Sequence, residues 1–208
     1  MNSHSRAWVE VDLGALRRNG AALARRAGVP LLPVVKADGY GLGAVQVATT
    51  LGSLAPWGFG VATVAEGIEL RQAGISRPIL ILSPVLPDEH ASIRVAGLRP
   101  SLGDAMTIAQ WSSSGGGAWH LAIDTGMNRA GIPWMDVPSL RELLGRAEPE
   151  GAYTHFHSAD LNDGSVREQL RRFQCALDSL PKRPRFLHAE NSPAIERGGI
   201  SSWDLARP

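Results

Sequence analysis

Cysteine is almost missing from this chain. Cys175 is the one thiol in 208 residues, so no intrachain disulfide can form, and the composition suits a reducing compartment. No sign of charge dominates. The 21 basic against 20 acidic side chains leave a formal net charge of +1, which argues against a dedicated surface for nucleic acid or acidic membranes. No stretch approaches the roughly 20 apolar residues that span a bilayer. The opening MNSHSRAWVEVDL also lacks the apolar segment of a secretory signal. These absences together describe a soluble, cytoplasmic protein. The HExxH and CxxC spacings and any clustered carboxylates are missing too, so no metal site is expected. What the chain does have is apolar material: hydrophobic residues make up 44% of it, ample for a core.

That material is distributed in a rhythm. Val9 and Val11 alternate with Glu10 and Asp12, which reads as a short half-buried strand over 7–12. Asp12 then caps a helix that runs to Gly28 and Pro30. Apolar runs at 31–35, 57–62, 78–82, 98–102, 118–124, 151–156 and 185–189 read as strands, and 202–208 as the start of an eighth. Helical patterns fall between them at 43–51, 64–73, 88–96, 104–111, 137–147, 166–180 and 192–197. Cys175 lies in one of these helices and is expected to pack against the core. The patch SSSGGG at 112–117 reads as a surface loop, because the alternation continues past it. Repeated βα units imply a parallel sheet with right-handed crossovers. Eight of them suggest an α/β (β/α)8 barrel of the TIM type, incomplete at its eighth strand; an open doubly wound sheet is the alternative.

In a parallel barrel the active site lies at the carboxyl ends of the strands. The first of those ends carries Lys36. Others carry Asp124 to Arg129, His155 and His157, His188 to Ser192, and Arg207. Each has an ordinary reading beside a functional one. Lys36 could snorkel from a strand end, His155 could be a satisfied core histidine, and Arg129 could pair with Asp124. Asn191-Ser192 could be a plain helix N-cap. The run GYGLG lacks the spacing of the nucleotide-binding glycine motifs. Taken together, the residues suit one chemistry. A lysine amine can condense with an aldehyde, a helix start at Asn191-Ser192 can hold a phosphate, and the His155 imidazole can lie on an aromatic ring. An aldehyde with a ring and a phosphate describes pyridoxal 5'-phosphate, PLP.

The segments AWVEVDLGALRRN, VVKADGYGLGA, WGFGVATVAEGIELRQAGI, IDTGMNRAGI, YTHFHSAD, HAENSPA and WDLARP resemble, in order and spacing, those of bacterial alanine racemases. The resemblance runs from about Ala7 to Pro208. It implies a PLP-binding barrel spanning 1–208, from about residue 31, and interconversion of L- and D-alanine for peptidoglycan. It implies that Lys36 carries the cofactor and is a catalytic base, that Tyr40, Asn191 and Ser192 serve the phosphate side, and that His155 stacks on the ring with His188 in support. It further implies that Arg129 reaches the cofactor's phenolic oxygen and the substrate carboxylate region, and that Arg207 faces the ring nitrogen. Three positions depart from the pattern: Ala122 stands where many members have a lysine that orients the arginine, His157 where a small residue is commoner, and Glu190 where alanine is usual.

The family also has a β-rich C-terminal domain that supplies a tyrosine as second base across a homodimer. The sequence stops at Pro208, so catalysis by this chain alone is expected to be weak or nil. An open seam between the first and seventh barrel strands is expected for the same reason. The main alternative is a non-catalytic, single-domain PLP-binding protein of the PLP-homeostasis kind. A relative acting on another amino acid is a third reading.

Overall fold

The structure is a computed structural model that describes residues 7–198 and 203–208. Helix α1 (Leu13–Ala27) starts where Asp12 accepts the Ala15 N–H at 2.8 Å. It ends at Gly28, whose φ of 67° a side chain would resist. The short turn α2 (Lys36–Gly41) and helix α3 (Ala44–Gly52) follow. Strand β1 (Phe59–Val61) leads into α4 (Val64–Gln72), β2 (Ile79–Ile81) into α5 (His90–Val95), and β3 (Arg99–Leu102) into α6 (Ala105–Ser113). Strand β4 (His120–Asp124) is followed by the two-residue β5 (Ile132–Pro133), a 3-10 turn at Val137–Leu140 and α7 (Arg141–Arg146). Then come β6 (Gly151–Tyr153), α8 (Ser165–Asp178), β7 (Phe186–Asn191), α9 (Ser192–Glu196) and β8 (Leu205–Arg207).

The strands pair in the order β1-β2-β3-β4-β6-β7-β8, every pair parallel, with β5 hung on the end of β4. This is the expected α/β barrel. The strands are buried on both faces, which explains their unbroken apolar runs: β1, β2 and β6 have no exposed residue.

The expected open seam is not found. Strand 31–35 is reduced to two bridges, Leu31 to Ala206 and Val34 to Gly60, yet these lie on opposite sides and join β8 to β1. Leu32 and Val34 donate to the carbonyls of Ala206 and Pro208 at 2.7 and 2.8 Å; Val35 donates to Gly60, and Gly60 to Pro33, both at 2.8 Å. Pro33 has no N–H, which removes one rung on the β1 side and leaves the ladder thin. The ring is therefore nearly closed by seven strands and one irregular segment.

Three further expectations fail. Residues 7–12 form no strand, and Val9 is 81% exposed, because no strand among the described residues pairs with them. Cys175 is exposed, not packed. Helix α8 buries Val166, Gln169, Phe173 and Ala176, and Cys175 falls two residues past Phe173, on the opposite face. The helix expected at 137–147 is split into a 3-10 turn and α7, with Pro138 at the start of the turn.

Candidate active site

A cavity of about 570 Å³ opens at the carboxyl ends of the strands, where the sequence places the polar cluster. Its lining includes Lys36, Tyr40, Arg129, His155, Asn191, Ser192 and Arg207. Of the residues given a cofactor or substrate role from the sequence, His188 alone lies outside the lining, directly behind Arg207.

Lys36 opens α2, and this turn is left-handed. Ala37, Asp38, Gly39 and Tyr40 have φ between 52° and 63° and ψ between 37° and 52°. Only glycine adopts this region freely; each other residue costs about 1–2 kcal/mol there. Two carboxylates hold the turn in place. Glu66 accepts the Ala37 N–H at 2.8 Å with one oxygen, and the N–H groups of Ala62 and Thr63 at 2.7 and 3.2 Å with the other. Asp38 accepts the Ala44 N–H at 2.8 Å, tying the turn to the start of α3. A side chain at Gly39 would crowd the Ala44 backbone at 3.2 Å. The result puts half-buried Lys36 into the cavity beside exposed Tyr40, with Lys36 Nζ 6.0 Å from the Tyr40 ring centre.

The facing wall is built on Arg207, which is only 4% exposed. Its Nη1 donates to His188 Nδ1 at 2.7 Å, and its Nη2 to the Thr154 carbonyl at 2.8 Å and to His155 Nδ1 at 3.3 Å. Among the described residues, none of the Arg207 bonds uses Nε. Tyr153 stacks flat on His188, ring centres 5.0 Å apart, and the guanidinium lies 5.0 Å from the Tyr153 ring. Burial, then the charges of Arg207, Arg129 and Lys36, push the His155 imidazole down to about 4. Burial and Arg207 hold His188 well below its usual range, and burial brings Arg207 itself down to about 10. Both imidazoles are thus neutral at pH 7, and the arginine is charged.

The remaining residues lie around the mouth. The Asp124 carboxylate accepts backbone N–H groups of Gly126 at 2.9 Å and Asn128 at 3.1 Å, so it folds its own loop and leaves exposed Arg129 at the cavity edge. Ala122 is buried opposite Tyr153 in the sheet and offers Arg129 no polar group. Asn191 caps α9, accepting the Ala194 N–H at 3.2 Å, which is the ordinary reading of that residue. His157 Nδ1 lies 2.7 Å from Ser158 Oγ, and Glu190 is buried. Sequence reasoning passed over Glu66 and Tyr153. Glu66 carried a signal, the T-x-x-E spacing of a capping box, which it forms with Thr63. Tyr153 carried none beyond its place at a strand end.

Residues 11–208 match the family model described as alanine racemase, N-terminal domain. An alanine racemase of Symbiobacterium thermophilum is 42% identical over 214 residues, covering 96% of this chain and 56% of that protein. One of Geobacter sp. strain M21 is 37% identical, covering 96% and 58%. Among solved structures, alanine racemase from Bacillus anthracis with bound L-Ala-P superposes with a TM-score of 0.88 at 28% identity, covering 100% of this chain and 57% of that one. The chain thus spans little more than half the length of the proteins it matches. No helix among the described residues is long and apolar enough to cross a membrane.

Proposed function

This chain belongs to the alanine racemase N-terminal domain family, and from that premise we propose that it forms the cofactor-binding half of a PLP-dependent racemase acting on L- and D-alanine. The observation that carries the reading is the pairing, across one cavity, of a lysine amine with a buried, donor-only arginine. The residues fit PLP. Lys36 supplies the amine that the aldehyde requires, Tyr40 and Ser192 line the same cavity as phosphate partners, and neutral His155 offers a flat face to a ring. Asn191 lines the phosphate side while capping α9.

PLP, when bound, supplies an electron sink that acidifies the α-hydrogen of an amino acid. The protein's own part is positioning and proton transfer. Lys36 Nζ would hold the cofactor and, once freed by the substrate amine, would take a proton from the substrate α-carbon on its own face or deliver one there. Arg207 can only donate a hydrogen bond, so it discourages protonation of a ring nitrogen placed against it and limits how far charge spreads into the ring. His188 holds Arg207 in that position. Arg129, exposed at the mouth, is the cation for the substrate carboxylate. A homodimer in the cytoplasm belongs to the same reading, supported by the family and by a single exposed thiol.

The test is chemical. Incubation with PLP and reduction with borohydride fix a pyridoxyl group onto the peptide containing Lys36, as located by mass spectrometry. Visible absorbance appears in the wild type and is lost in Lys36→Ala. Labelling elsewhere, or none, refutes the site. Exchange of the alanine α-hydrogen in D2O, followed by NMR, tests the substrate. The non-catalytic PLP-binding alternative is not favoured, since the matching model is the racemase domain.

A further inference from the structure

Behind the cavity, a line of polar side chains runs through the barrel toward the opposite rim. His188 Nδ1 faces Arg207 Nη1 at 2.7 Å, and His188 Nε2 lies 2.8 Å from His120 Nδ1. His120 Nε2 stands 3.7 Å from Glu150 Oε2, and Arg99 Nε closes the line on that same oxygen at 2.6 Å. Both imidazoles have no exposed surface. The Glu150 side chain is 20% exposed, at the head of β6.

One end of the line dictates every proton in it. A guanidinium has donors only, so His188 must present a lone pair at Nδ1. A neutral imidazole has one N–H, so that of His188 sits on Nε2 and donates to His120 Nδ1. The His120 proton is then on Nε2. That atom is buried with no hydrogen-bond partner of its own, and it points at the Glu150 carboxylate within ion-pair range. Burial lowers both imidazoles, against which Glu150 works at His120. Burial opposes the Glu150 charge, but His120 and Arg99 hold its carboxyl at about 2. The line therefore runs from a cationic guanidinium through two neutral imidazoles to a carboxylate that is itself paired with Arg99.

Both rings are closely packed. Gly151 leaves the space His120 occupies: a Cβ there would come within 2.5 Å of the ring. Trp57 covers His120 at 5.4 Å between centres, and Tyr153 covers His188.

We propose that His120 and Glu150 are positioning residues for Arg207. The far-rim carboxylate favours, at His120 Nε2, the same tautomers that Arg207 requires, and so holds the guanidinium in its register at the cavity. The consequence for PLP rests on the function proposed above; the tautomer assignment does not.

The protein with 15N-labelled histidine, without cofactor, is examined by NMR at neutral pH. The expected result is a proton on Nε2 and a bare Nδ1 in both His188 and His120. His120→Phe removes the acceptor, and the hydrogen-bonded His188 Nε2–H signal is lost. His120→Asn, whose amide oxygen can accept the same bond, restores it. Glu150→Gln, at the half-open rim, keeps the fold testable if His120→Phe does not fold, and gives a second tautomer at His120. After loading with PLP, the absorption maximum of the Lys36-bound cofactor shifts in His120→Phe and Glu150→Gln and returns in His120→Asn. A wild-type His188 protonated on Nδ1 overturns the relay, as do variants that keep both signatures unchanged. A wild type with the assigned tautomers but no adduct at Lys36 refutes the proposed function and leaves the relay standing.

Discussion

On the Lys36 wall carboxylates grip backbone; on the Arg207 wall a guanidinium grips rings. Glu66 holds a turn of inverted hand by the Ala37 N–H, and Asp38 of that turn grips the Ala44 N–H of α3, while the side chains displayed, Lys36 and Tyr40, are half-buried or exposed. Arg207 and His188 are buried and touch one another directly, and His155 is held against them at Arg207 Nη2. The first wall fixes where a side chain starts and leaves its end free to react. The second fixes the atoms themselves. An amine that must bind, release and move protons belongs on the first kind of wall, and an unchanging donor on the second.

The largest effect expected from breaking this contrast is on the rigid wall. Arg207→Ala strands buried acceptors at His188 and Thr154, each worth about 1–3 kcal/mol, and should cost on the order of 3–5 kcal/mol in urea unfolding. A loss below about 1 kcal/mol would contradict the packing described. Acid comes next. His155 binds its proton at about 4 in the folded chain against 6.5 ordinarily. Between these values the unfolded chain takes up a proton that the folded chain refuses, so stability falls as pH drops through that window, by on the order of 2–3 kcal/mol. His188 and His120 act in the same direction. The Glu150 contribution is lost lower, between about 4.5 and 2. Melting temperatures measured from pH 7 to pH 4 should decline before the carboxylates titrate. On the backbone-held wall, Glu66→Ala removes a capping box and the bond to Ala37, and should cost about 1–2 kcal/mol by urea unfolding. It should also slow PLP attachment, since Lys36 loses its fixed starting point. Lys36→Ala is the smallest: stability within about 0.5 kcal/mol in the same assay, with attachment abolished. If Lys36→Ala destabilised the chain as much as Arg207→Ala does, the two walls would not differ in kind.

Much of the barrel was legible because parallel strands buried on both faces must be continuous apolar runs, and the helices between them have clear starts such as Asp12, Thr63 and Asp104. The strand at 31–35 was overread, since Pro33 thins a ladder that the apolar run alone suggests. The rim residues were legible by position: Lys36, Arg129, His155, Asn191, Ser192 and Arg207 all reach one cavity. The hand of α2 was not. Gly39 hints at positive φ, but Ala37 and Tyr40 adopt it in a turn held by Asp38 and by Glu66, which is 29 residues from Ala37. The His120–His188 contact spans 68 positions and depends on sheet register, which local pattern does not carry.

The missing Cβ at Gly151 sets an order in which this barrel can change. Any side chain added there first collides with the His120 ring, so the single step is closed. Shrinking His120 first opens the space, and the second step then becomes permissible. A saturation library of single substitutions would score position 151 as immovable, while a paired library would find viable doubles. The two sites, 31 residues apart on paired strands, behave as one heritable unit.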